Sequence, residues 1–245
     1  MSLPTPYYEQ DNITIYHADC REILPYLPKV DLVLTDPPYG IQKWDWDEKY
    51  PEGIELELID KANTIAIMCG QWAIPKCINA LGSQYLGIIA LHNRNGMTYS
   101  PLGFGNWIPC IIGGMRPKSG QDLLSFNVTG DKPNHPSPKP IAAMNRIIIR
   151  LTEIGQSILD PFMGSGTTLV AAKQLHRKAI GIEIEQRYCD IAIKRLSQGV
   201  LDLSIESNSR AASNHERPSP SLDGKNRTIP QGLFGGEHRR DVENI

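Results

Sequence analysis

The sequence predicts an α/β domain with a mostly parallel sheet, and three observations carry that expectation. Short apolar runs alternate with longer stretches of helical periodicity, the pattern of repeated βα units. One apolar run ends in a Gly-rich turn that leads straight into a helical stretch, and another ends in Asp-Pro-Pro-Tyr. The chain has 245 residues, 40% hydrophobic and 21% charged, which is enough for one core of ordinary size and gives no call for a second domain of similar size.

Strands are predicted at Ile13–His17, Asp31–Thr35, Thr64–Met68, Tyr85–Leu91, Trp107–Gly113, Gln156–Leu159 and Ala179–Glu183, each a short apolar or alternating run. Helices are predicted at Cys20–Leu27, Glu52–Ala62, Ile74–Leu81, Pro140–Ile154, Thr167–Arg177 and Gln186–Leu196. Pro140–Ile154 is signalled at both ends: Pro in its first turn, Ile141, Met144, Ile147, Ile148 and Leu151 at helical spacing, and Gly155 as a stop. From about Gly199 the pattern fails, because SNSRAASNHERPSPSLDGKNRT is too polar to bury a core. The expected organisation is therefore a domain over 1–198 and a flexible tail over 199–245. An apolar island in that tail, PQGLF, faintly resembles sliding-clamp docking peptides, with one residue missing.

Five scattered cysteines without a C-x-x-C pair point neither to a disulfide framework nor to zinc, and no metal is expected. They read as small buried hydrophobes. No run of apolar residues is long enough for a membrane span, and the first residues lack signal-peptide character, so a cytoplasmic protein is expected. The formal net charge of -2 gives no global support for a nucleic-acid partner. Such a partner must be argued from local clusters and from the chemistry of a site.

Asp36, Pro37, Pro38 and Tyr39 stand where the apolar run VDLVLT ends, the end of a strand at which open α/β sheets hold ligands. These residue types suit a planar base carrying an amine. The lone pair of that amine is delocalised into the ring. A carboxylate and a fixed carbonyl accepting hydrogen bonds from the NH2 hold it and favour the tetrahedral geometry of attack. Consecutive prolines make a stiff turn that offers carbonyls and no N–H. Tyr39 suits stacking on the base. A plain strand-ending turn uses the same residue types.

The second motif is LDPFMGSGTT, Leu159 to Thr168. Its glycines let the backbone approach a ligand and lead it to a helix N-terminus. Thr167 stands where a phosphate loop carries Lys, so a nucleoside without phosphates is favoured over a triphosphate. Glu183 ends the next apolar run, 19 residues beyond Gly164, close to the spacing at which an acid accepts ribose hydroxyls. A tight turn beside a surface Glu is the alternative.

TDPPY, HPSPKP and LDPFMGSGTT, in that order, resemble the DNA amino-methyltransferases that modify adenine N6 or cytosine N4, in the permuted class whose catalytic motif precedes the cofactor loop. The resemblance covers about Ile13 to Leu196. It implies a Rossmann-like, seven-stranded, mostly parallel methyltransferase sheet with helices on both faces, S-adenosylmethionine as cofactor, and double-stranded DNA as partner, as in restriction-modification. It also implies that Asp36, Pro37, Pro38 and Tyr39 position the amine. Asp160, Phe162, Gly164, Gly166 and Thr168 would line the methionine end of the cofactor, and Lys139, Ser165 and Thr167 would also belong to the cofactor site. Glu183 would hold the ribose and Asp19 would face the adenine ring. His135-Pro136-Ser137-Pro138-Lys139-Pro140 departs mildly from the family's His-Pro-Thr-x-Lys-Pro, keeping the hydroxyl. The stretch between the last catalytic-half strand and this segment, residues 116–134, is too short for a separate recognition domain.

Asp as first residue of the four favours adenine by resemblance. Cytosine N4, an RNA amine, and a binding module that has lost catalysis are the alternatives. Arg94, Arg116, Lys118, Lys132, Arg146 and Arg150 are candidate phosphate contacts, although a solvated helix face accounts equally well for Arg146 and Arg150. Trp44 and Trp46 follow the catalytic turn and suit either packing or a loop closing over a flipped base. Cys110, after Pro109, is rejected as a carbon-5 nucleophile because it sits inside an apolar strand.

Overall fold

The structure is a computed structural model and describes residues 3–38, 53–96, 98–100, 103–115, 118–127 and 140–198. Eleven strands and six helices are found among them. In chain order these are β1 (Tyr8–Gln10), β2 (Ile13–His17), α1 (Cys20–Ile23), β3 (Val30–Thr35), α2 (Ile54–Ile59), β4 (Ala62–Met68), α3 (Ile74–Leu81) and β5 (Tyr85–Asn93). They continue with β6 (Thr98–Ser100), β7 (Gly103–Gly105), β8 (Trp107–Gly114), β9 (Leu123–Phe126), α4 (Ile141–Leu151), β10 (Ser157–Asp160), α5 (Thr167–Gln174), β11 (Lys178–Glu183) and α6 (Gln186–Ser197).

Seven strands form the body of the main sheet in the order β2-β11-β10-β3-β4-β8-β5, with β1 and β9 added at its edges. Within the seven, β8 alone runs in the direction opposite to the other six. This is the Rossmann-like α/β architecture the sequence predicts. α4, α5 and α6 supply Ile147, Leu169 and Ala192 to the core on one face, while α1, α2 and α3 supply Ile23, Leu58 and Cys77 to the other. Sequence order runs outward from the centre in both directions, from β10 to β11 and from β3 to β4. The crevice between β10 and β3 is therefore a topological switch point, where such sheets take ligands at the strand C-termini.

The β3–β10 register decides how the two turns face each other. It pairs Leu32 with Ile158 and Val33 with Leu159. At the opposite end from the turns, Asp31 Oδ2 accepts from the Ser157 N–H (2.8 Å) and hydroxyl (2.7 Å), and Asp31 Oδ1 accepts from Gln156 (3.3 Å). A one-residue slip would break all three and turn the buried faces over.

Several boundaries differ from the expectation. The 116–134 stretch contributes the edge strand β9, parallel to β5, and β6 and β7 pair antiparallel as a separate two-stranded sheet. Ala62 belongs to β4 and not to the preceding helix, because it pairs with Val30. The helix expected over Pro140–Ile154 stops at Leu151: Thr152 is extended, its hydroxyl donates to the Ile148 carbonyl (2.7 Å), and Ile154 lies 73% exposed. α5 stops at Gln174, short of Arg177, since His176 takes a left-handed conformation (φ 57°). α1 likewise gives way to a 3-10 turn over Leu24–Tyr26 around Pro25. All five cysteines are buried and none is in a disulfide. No helix among the described residues is long and apolar enough to cross a membrane. The expected tail, 199–245, lies outside the described residues.

Candidate active site

The Gly-rich turn leaves β10 at Asp160 and reaches α5 at Thr167. Gly164 (φ 51°) and Gly166 (φ 77°) adopt left-handed backbone that other residues resist. A side chain at Gly166 would also meet the Cβ of Ala192 on α6 at 2.7 Å, so glycine is what lets the turn lie against that helix. Three kinds of tether hold it. The Met163 N–H donates to the Ile182 carbonyl (3.1 Å), and the Gly166 N–H to the Met163 carbonyl (2.9 Å). Glu183 Oε2 accepts from the Gly164 N–H (3.0 Å), while its Oε1 accepts from the Glu185 N–H (2.8 Å). From α6, the Arg195 guanidinium donates to the Ser165 carbonyl (2.6 Å) and hydroxyl (3.0 Å) and to the Thr167 hydroxyl (3.1 Å).

The acids around this turn are perturbed. Asp160 is 4% exposed, and burial pushes its carboxyl up to about 7, against the opposing effects of the Thr168 hydroxyl and the Phe162 N–H, which donates to it at 3.2 Å. The charge of Asp36 raises it further, which places Asp36 in electrostatic contact with Asp160 across the crevice. Strand alternation agrees. Leu32, Leu34 and Ile158 share one face of the sheet, and Asp36 and Asp160 follow them with the same parity. Burial likewise raises the Glu183 carboxyl above its ordinary range.

Asp36 and Pro38 are half-buried and Pro37 is buried, directly beyond Thr35, the last residue of β3. Asp19 caps α1, accepting from the Arg21 N–H at 2.9 Å. It stands beside Glu183, because the Ala18 N–H donates to the Glu183 carbonyl (3.1 Å). The strand ends thus bring Asp19, Asp36, Asp160, Phe162, Gly164, Ser165, Gly166, Thr167, Thr168 and Glu183 to one edge of the sheet. Tyr39, Trp44, Trp46, Arg116, Lys132, the His135–Pro138 segment and Lys139 lie outside the described residues. Among the described basic candidates, Arg150 donates to the carbonyls of Lys118 (3.2 Å) and Gln121, and Lys118 pairs with Glu153 (2.6 Å). Those two serve to tie α4 to the chain before β9.

Arg195 was not foreseen. Its only sequence signal is a cation on the same helical stripe as the buried Tyr188, Ala192 and Leu196, and burial lowers its pKa. Cys110 sits fully buried in β8, and burial raises its thiol far above the range of a nucleophile. Among the described residues no group of three or more His, Cys, Asp or Glu is arranged to hold a metal.

The DNA methylase family model, of N6- and N4-methyltransferases, matches residues 104–194. The Type II methyltransferase M2.DpnII of Streptococcus pneumoniae is 55% identical over 246 residues, covering 78% of this chain and 92% of its own length. The chain belongs to this DNA amino-methyltransferase family. Among solved structures, the M1.HpyAVI–SAM complex is 31% identical with a TM-score of 0.62, covering 75% of this chain and all of that one. The cytosine-N4-specific PvuII DNA methyltransferase shares the fold at a TM-score of 0.62 and 17% identity, over 78% of this chain and 88% of its own. Membership puts the permuted motif order on a known scaffold, with the two turns adjacent in space although Asp36 and Asp160 are far apart in sequence.

Proposed function

We propose that this chain is a Type II DNA methyltransferase of the cytoplasm that transfers the methyl group of S-adenosylmethionine to the exocyclic N6 amine of adenine in double-stranded DNA. The observation that carries the reading is the meeting of Asp36-Pro37-Pro38 with the Gly-rich turn at the β3–β10 crevice. S-adenosylmethionine is a cationic nucleoside without phosphates, and the residues present suit it. Asp160 suits its ammonium group and Glu183 its ribose hydroxyls, since each carboxylate oxygen of Glu183 keeps a lone pair beyond the N–H it accepts. Asp19 suits the adenine ring. The cofactor supplies an electrophilic methyl on a sulfonium.

Against that methyl the chain's own residues work on the amine. The Asp36 carboxylate and the Pro37 carbonyl accept hydrogen bonds from the two N–H groups of the NH2, which favours a tetrahedral nitrogen with its lone pair localised and directed towards the turn after β10. When bound, the cofactor would supply its methyl to that lone pair by direct displacement, its sulfur being the leaving group. The surplus amine proton then departs by way of Asp36. No covalent bond to the chain is required, in keeping with the inert Cys110. Adenine is favoured over cytosine by Asp as the first residue of the four.

The test is transfer of labelled methyl from S-adenosylmethionine into unmethylated duplex DNA, with the product digested to nucleosides. N6-methyladenine is expected. N4-methylcytosine as the sole product would replace the substrate assignment, and no transfer would remove it.

A further inference from the structure

We propose that a pocket on the outer edge of the sheet, between Arg94 and Arg146, holds a backbone phosphate of the DNA strand flanking the target base; this rests on the DNA reading above. The pocket has a volume of about 420 Å³ and is lined by Arg94, Gln121, Asp122, Leu123, Ser125 and Arg146. Arg94 is the first residue after β5. Its N–H donates to the Phe126 carbonyl (2.9 Å), which fixes where its side chain leaves the sheet. Arg146 projects from the middle of α4. Both residues are exposed, and among the described residues neither guanidinium meets a hydrogen-bond acceptor or a carboxylate.

The wall selects the ligand. Among its described lining residues Leu123 is the one apolar side chain and none is aromatic, so those residues give a base no ring on which to stack. Two free guanidinium forks beside a Ser hydroxyl match the oxygens of a phosphodiester. Asp122 opposes an anion. Arg150, its guanidinium held on the Gln121 carbonyl, adds positive charge behind the same wall. In a chain with a formal net charge of -2 this is a local reversal of sign at a concave site.

Position ties the pocket to the catalytic crevice. β5 is antiparallel to β8, which is antiparallel to β4, so the C-termini of β5, β4 and β3 share one edge. β3 and β5 are separated by three strand spacings, about 14 Å. At about 3.4 Å of rise per nucleotide, a duplex whose target adenine enters beside Asp36 would bring a phosphate about four steps away to Arg94.

The experiment compares the parent with an Arg94→Ala/Arg146→Ala variant in binding a short fluorescein-labelled DNA duplex over a series of salt concentrations. Removing one phosphate contact should lower the slope of log Kd against log salt by about 1 and weaken binding alike for duplexes of different sequence. Arg94→Lys/Arg146→Lys, which keeps the charge, should retain most of the slope. Unchanged affinity for S-adenosylmethionine in each variant certifies the fold. The single Arg146→Ala change places a strong helix former at an exposed helical site and serves if the double variant is unstable. An unchanged salt slope in a folded Ala variant overturns the assignment. Failure of the parent to methylate adenine would instead overturn the proposed reaction, and the binding comparison would still decide the pocket.

Discussion

The turn after β10 is held by hydrogen bonds from neighbouring elements, whereas the turn after β3 carries two consecutive prolines whose rings fix its backbone. Around Gly164 and Gly166 the chain is flexible in principle, and Glu183, Arg195 and the Met163 contacts fix it from two neighbouring elements. Beyond Thr35 the proline rings fix φ and carry no N–H of their own. The difference follows from what each turn must grip. A nucleoside needs close backbone approach, which glycine provides once it is tethered. An amine needs acceptors that do not rotate, which proline provides alone. Damage at the first turn should therefore appear in cofactor binding, and damage at the second in turnover.

The largest effect should come from Asp36→Ala. It removes the acceptor that matters most as charge develops on the amine while leaving the tethers of the other turn in place. A rate loss of a hundredfold or more, on the order of 3 kcal/mol, is expected in methyl transfer, with S-adenosylmethionine affinity retained in a calorimetric titration. A folded variant that methylates adenine near the parent rate would show that Asp36 does not position the amine.

Glu183→Ala addresses the opposite turn. It should weaken cofactor binding by about 1–3 kcal/mol through loss of a charged acceptor for the ribose. Because Glu183 also takes the Gly164 and Glu185 N–H groups, the cofactor-free protein should unfold at a lower temperature as well. Loss of affinity with an unaltered cofactor-free melting temperature would assign Glu183 to the ligand alone, and loss of melting temperature with unaltered affinity would assign it to the loop alone.

Both turns were legible as strand ends in the sequence, from paired prolines after an acid and from closely spaced glycines before a helix, although plain turns use the same residue types. The body of the sheet was legible for a similar reason, since strands such as β3 and β11 are buried enough to read as apolar runs. β1 and β9 were not. They are three and four residues long, add to the sheet edges and bury few side chains, so their pattern does not rise above that of a loop. Helix ends were misplaced where tertiary contacts override periodicity. Ile154 continues the apolar spacing of α4 but falls beyond the helix, after Thr152 has turned extended. Arg195 and Arg150 were opaque as structural cations because a guanidinium bound to carbonyls looks, in sequence, like any solvated arginine.

A smaller effect should separate the turns by pH. Burial holds the Asp160 carboxyl near 7, so it is largely neutral below that value. A cofactor cation beside it favours the charged form, and binding below about pH 7 must release a proton. Affinity should therefore rise with pH, by up to about tenfold per unit, and level off above about 7. Isothermal titration in two buffers of different ionisation enthalpy measures the released proton directly. Stability without cofactor should run the other way. The folded carboxyl is raised above its unfolded value, so its contribution is complete below about pH 4 and is lost as pH rises through about 7. Asp160→Asn should flatten both profiles. An affinity that stays constant from about pH 5.5 to 8 would place the cofactor's charge away from Asp160.

The smallest effect is expected at Cys110, whose thiol lies close enough to Asp36 to feel its charge. If the β3 turn is held by its prolines, the thiol beneath it only fills space, and Cys110→Ala should change the rate of methyl transfer less than about twofold. The substitution deletes one buried atom from a packed strand, so a stability loss of about 1 kcal/mol should accompany it. That loss would be read as a lower midpoint in denaturant with the slope unaltered. The pairing matters more than either number. Intact transfer with reduced stability assigns Cys110 to the core, and it separates direct transfer to an amine from any mechanism that attacks the base through a cysteine. A loss of transfer comparable to that of Asp36→Ala, in a protein that still binds S-adenosylmethionine, would mean that the turn depends on its thiol neighbour and that proline stiffness alone does not hold the amine acceptor in place.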